Sequence, residues 1–134
     1  MANLVSRKSA LLALDWCIQK YGPSRFANLD TLKIRINSNL CYFGEYDEDI
    51  NVITLNPKKH KSLKDWVKTV IHEYTHFRQP IHEKYNQYFE QYGRNYENHP
   101  YEITARNKSE RDAAVARLWV LKQLRELNTK SVKP

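Results

Sequence analysis

The chain has 134 residues, 41% of them hydrophobic and 28% charged, with only three Gly and five Pro. That length suits one domain able to bury a core without disulfide staples, and the composition excludes a disordered chain or a fibrous repeat. Lys and Arg outnumber Asp and Glu by 22 to 15, a formal charge of +7, which favours anionic partners, including nucleic acid, by long-range attraction.

The opening "MANLVSRKSALLALDW" places charges on both sides of a short apolar run and offers no small-residue cleavage site, unlike a secretory signal. No stretch approaches the roughly 18 apolar residues of a membrane span, so a cytoplasmic protein without membrane contact is expected. From Ser6 to Tyr21, the residues Leu11, Leu14, Ile18 and Tyr21 recur at helical steps, and Gly22-Pro23 stops the helix. Cys17 and Cys41 lack C-x-x-C spacing and are expected to be reduced and buried.

Three short strands follow. "TLKIRINSN" (31–39) alternates Leu32, Ile34 and Ile36 with Thr31, Lys33 and Arg35. "LCYFGEYD" (40–47) and "INVITLN" (50–56) flank the acidic turn "EYDED", and tight connections suggest a mainly antiparallel sheet. Asn56-Pro57 breaks the third strand. The basic patch "PKKHKSLK" (57–64) reads as a solvated loop, in which Ser62 with Asp65 resembles a capping box.

The next helix carries an apolar stripe of Trp66, Val67, Val70, Ile71, Tyr74 and Phe77, and Pro80 ends or bends it. Residues 81–98 suggest a short helix around 82–92 and then a loop. Pro100 opens a long final helix whose apolar positions are read as Ala113, Ala114, Leu118, Leu121, Leu124 and Leu127, with a frayed tail over 128–134. The whole is one α+β domain over 1–134, with a core at about 6–127.

Within the stripe helix, "VIHEYTHFRQPIH" (70–82) contains H-E-x-x-H as His72, Glu73 and His76. Residues i and i+4 project from one helix face, so the two imidazoles can reach one cation while Glu73 lies beside them as a general base for activated water. A catalytic zinc takes three protein ligands at about 2.0–2.1 Å. The third is open from spacing alone. His82 matches the outer spacing of the metzincin pattern, but Gln79 and Pro80 follow where its turn glycine belongs, and the only methionine is Met1. The alternative is a carboxylate from Glu83, Glu90, Glu97, Glu102 or Glu110, of which Glu102 opens a long helix after a Pro turn.

"HEYTH" followed by "HPYEITAR" (99–106) resembles the minimal gluzincins, small metallopeptidase-like domains that include many phage proteins, over residues 50–127. The resemblance implies a zincin-like fold, zinc held by His72, His76 and Glu102, Glu73 as general base, and a peptide or protein substrate laid along a sheet edge. Thr104 stands where the family commonly has a second acid. Arg106 stands where an Asp or Asn often braces a ligand histidine, and an i,i+4 pair with Glu102 would compete with ligation. Candidates for the oxyanion donor that proteolysis needs are Tyr74, Tyr96, His99 and Tyr101. The function expected is zinc-dependent peptide hydrolysis. The alternatives are an inactive zincin scaffold that serves as a binding or virion-associated protein, and a basic nucleic-acid-associated module.

Overall fold

A computed structural model describes residues 4–80 and 99–132. The helix expected around 82–92, together with His82, Tyr96, Glu83, Glu90 and Glu97, lies outside the described residues. The fold is α+β: three α-helices among the described residues, α1 (Arg7–Tyr21), α2 (Leu63–Phe77) and α3 (Pro100–Val132), and a small mixed sheet of β1 (Lys33–Ile36), β2 (Gly44–Asp47) and β3 (Val52–Leu55).

Ser6 starts α1 through a reciprocal box: its hydroxyl accepts from the Ser9 amide, and the Ser9 hydroxyl accepts from the Ser6 amide. The helix buries Ala10, Ala13, Leu14, Trp16 and Cys17, whereas Leu11 is 39% exposed. The predicted stripe is therefore rotated. Fully buried Ala10, Ala13 and Cys17 let α1 lie close to its neighbours, and a search for large apolar residues overlooks such positions. Gly22, at φ +81°, then releases the chain, donating its amide to the Ile18 carbonyl.

The sheet corrects the expectation of mainly antiparallel pairing. Strand order is β1-β3-β2, with β1 parallel to β3 and β2 antiparallel to it. Residues 37–43 carry the chain past the place that β3 will occupy, β2 returns on the far side, and a tight turn inserts β3 between them. Asn51, at φ +56°, shapes that turn, and its side-chain amide donates to the Asn28 carbonyl and the Thr31 hydroxyl. As the central strand, β3 is buried at all four residues, which explains its uninterrupted apolar run. β2 remains an edge strand.

Ser62 caps α2 by accepting from the Asp65 amide at 3.1 Å. Trp66, Val67, Val70, Ile71, Tyr74 and Phe77 are all fully buried, as their spacing predicts. Trp66 Nε1 donates to the Ser6 carbonyl and the Tyr74 hydroxyl to that of Gly22, so α2 is tied to both ends of α1. Lys58, Lys59, Lys61 and Lys64 are exposed, as expected for a solvated patch. His60 in their midst is buried, bonded to the Asn56 carbonyl and the Thr69 hydroxyl at 2.7 Å each. Thr69 in turn constrains β2: a Cβ at Gly44 would stand 2.7 Å from its methyl carbon. Glycine there lets the strand edge approach α2 beside the histidines.

α3 also differs from its predicted face. Ala105, Ser109, Ala113, Ala116 and Val120 are fully buried, Leu121 and Leu124 pack partly, and Leu118 and Leu127 are exposed. Small residues again dominate the buried face of a helix packed on α2, and the helix runs to Val132 through residues expected to fray. Cys17 is buried as expected but Cys41 is exposed, since it lies on the surface loop between β1 and β2. No helix among the described residues is long and apolar enough to cross a membrane.

Candidate metal centre

His72, Glu73 and His76 lie on the edge of α2 next to its apolar face, with the two imidazole centroids 5.0 Å apart. The i,i+4 spacing places the rings side by side. His76 is 8% exposed and Glu73 7%, so both sit at the boundary of the core.

Glu102 arrives from the first turn of α3. Its Oε2 is 3.0 Å from His72 Nε2 and its Oε1 is 2.6 Å from His76 Nε2. The first turn is held in place by His99, whose Nδ1 accepts from the Tyr101 amide while its carbonyl accepts from the Ile103 amide. Pro100 at the first helical position needs no amide partner. Local capping therefore aims Glu102, the third residue of the helix, back toward α2.

His72, His76 and Glu102 form a group that could hold a metal ion, with one ligand atom from each lying within 4.8 Å of the others. The donor set suits a borderline cation such as zinc. A further observation fits. His76 Nε2 is buried, and its close polar neighbour is Glu102 Oε1 at 2.6 Å. The two imidazoles and the carboxylate thus present their ligand atoms to one another in a single cluster.

Burial raises the Glu73 carboxyl above its ordinary range; His76 and His72 oppose the shift, and the Glu102 and Glu45 charges add to it. For His76, burial works toward a lower pKa. The Glu102 carboxylate, with Glu73 and Gln79, outweighs it, and the net direction is upward. His99 is shifted down, chiefly by burial, which favours a neutral ring. With Nδ1 accepting from Tyr101, that neutral ring carries its proton on Nε2.

Gln79 is the functional residue that sequence reasoning passes over. Its Oε1 is 2.7 Å from His76 Nδ1 and its Nε2 donates to the Tyr101 carbonyl at 3.1 Å. Accepting from Nδ1–H leaves the Nε2 lone pair of His76 free for a cation, and the second bond clips the end of α2 to the start of α3. In the sequence Gln79 is visible only as a departure from the metzincin glycine; H-E-x-x-H-x-x-Q could have suggested a histidine-orienting amide three residues on. Gln79→Ala is expected to weaken metal affinity by about 10–100-fold, read by competition with a chromophoric chelator.

The group opens into a cleft of about 730 Å³ whose walls include His99, Tyr101 and the β2 edge. Of the four oxyanion candidates, His99 and Tyr101 line the cleft. Tyr74 is buried in the core against Phe77, and Tyr96 lies outside the described residues. The Glu102 carboxylate faces the histidines, so the turned-away arrangement that Arg106 could have imposed is not adopted. Glu110 lies two turns further along α3, exposed, with its carboxylate 3.8 Å from Lys68. Comparison with protein families, with curated proteins and with solved structures finds no match to this chain.

Proposed function

We propose that this chain is a zinc-dependent metallopeptidase of the gluzincin type, built on a zincin-like fold, in which His72, His76 and Glu102 hold the metal and Glu73 is the general base. The observation that carries this reading is the Glu102 carboxylate reaching both histidine rings from a different helix, 26 to 30 residues along the chain. A coincidental H-E-x-x-H on an amphipathic helix would not need a half-buried carboxylate delivered to it.

A bound zinc ion supplies Lewis acidity, polarising a carbonyl and making water nucleophilic near neutral pH. The chain's own residues supply the rest. Glu73, which lines the cleft beside His72, takes a proton from the attacking water and passes it to the leaving amine. His99 and Tyr101, which line the cleft, are the candidate donors for the charge developing on the carbonyl oxygen. The β2 edge offers backbone groups along which an extended peptide can align.

The test is cleavage of a mixed peptide library followed by mass spectrometry, with and without a chelator. New termini that vanish on chelation and return with zinc are expected. A protein that binds zinc and cuts no peptide would leave the binding-scaffold reading in its place.

A further inference from the structure

The acidic turn of the sequence has a place in this cleft. Glu45, Asp47, Glu48 and Asp49 line one wall, and Glu73 and Glu102 lie on the floor. Six of the chain's 15 acidic residues therefore line this one cleft, and none of its 22 Lys and Arg is among the described lining residues. In a chain of net charge +7, that local inversion of sign is not a consequence of composition. The same cleft holds buried His76 and the His72, His76 and Glu102 group that could hold a metal ion, so the acidic wall adjoins a built site rather than open surface.

The register of β2 gives the wall a pattern. Gly44 and Tyr46 face α2, the first against Thr69 and the second with its ring on Phe77. Glu45 and Asp47 alternate with them and share the other side of the strand. Carboxylates two residues apart on a strand repeat at about 6.6–6.8 Å, the spacing of alternate side chains in an extended peptide.

Resting on the peptidase reading above, we infer that the substrate is a cationic peptide, with Lys or Arg at alternate positions facing Glu45 and Asp47 along the β2 edge. The carboxylate wall attracts such chains and rejects acidic ones, whose charges would meet charges of the same sign.

The probes are three fluorescein-labelled peptides of equal length with Lys, Gln or Glu at alternate positions. Binding is read by anisotropy on zinc-loaded Glu73→Gln protein, and cleavage on the wild type. At about 50 mM salt the Lys peptide is expected to bind about tenfold more tightly than the Gln peptide, and at about 500 mM the ratio falls to about twofold as the charges are screened. The Glu peptide binds more weakly than either. In Glu45→Gln/Asp47→Asn protein, with its fold checked by circular dichroism, the Lys-to-Gln ratio is about twofold already at low salt. Equal cleavage and binding of all three peptides would overturn the inference and leave the peptidase reading intact. Selective binding of the Lys peptide without cleavage of any would do the reverse. Binding of none and cleavage of none would remove both.

Discussion

Glu102→Ala is expected to lose tight metal binding, with zinc falling from about one ion per chain to a small fraction of that after dialysis. Two neutral imidazoles on one helix face are an incomplete set for a tetrahedral site, and the carboxylate is the only acidic side chain that meets both rings among the described residues. The same substitution leaves buried His76 without the negative charge that now lies 2.6 Å from its Nε2. Elemental analysis of dialysed protein, with circular dichroism to confirm the fold, reads the result. His82→Ala is the matched control and should keep its metal. Full occupancy in Glu102→Ala together with loss in His82→Ala would transfer the third ligand to His82.

Glu73→Gln separates binding from chemistry. The amide matches the carboxylate in shape and keeps a hydrogen-bonding oxygen, so zinc content should stay near that of the wild type. Peptide hydrolysis should fall by about 10²–10⁴-fold, the range for loss of a positioned acid–base group. Because Glu73 is 7% exposed and burial disfavours its charge, the neutral amide should fold at least as stably as the parent. Initial rates on a cleaved library peptide, normalised to metal content, decide the matter. Activity within a few-fold of wild type in fully loaded Glu73→Gln protein would remove Glu73 from the general-base role.

These two substitutions probe residues of different legibility. His72, Glu73 and His76 are readable from spacing because a helix converts i,i+4 directly into adjacency. Glu102 is not. Six glutamates follow the motif, and among the five weighed as ligands spacing leaves the choice open; the likeness of "HPYEITAR" to a gluzincin second motif singles it out. What brings it to the histidines is the docking of α3 on α2, and the buried face of α3 includes Ala105, Ser109 and Ala113, residues too small to register as an apolar stripe. Gln79 is hidden for a related reason, since its two bonds join elements that are neighbours only after folding.

The failures of the fold reading share that origin. Leu11 and Leu118 look like core positions by hydropathy and are exposed, because helices approach most closely along small residues and α1 and α3 turn those inward. The sheet reads as mainly antiparallel when each strand is assumed to pair with the next. Nothing local in 37–43 announces that β2 passes to the far side and leaves the central place to β3.

The amino-acid sequence by itself determined the α+β composition, the capped amphipathic α2 and the order of its elements, since caps, breakers and periodicity act over a few residues. It also placed two histidines and a glutamate on one helical edge. Only tertiary structure decided the strand order, the faces that α1 and α3 bury, the arrival of Glu102 and the gathering of the acidic turn against the histidines. Those depend on contacts between distant segments, where close packing and the burial of charge select one arrangement among several that the local signals allow equally.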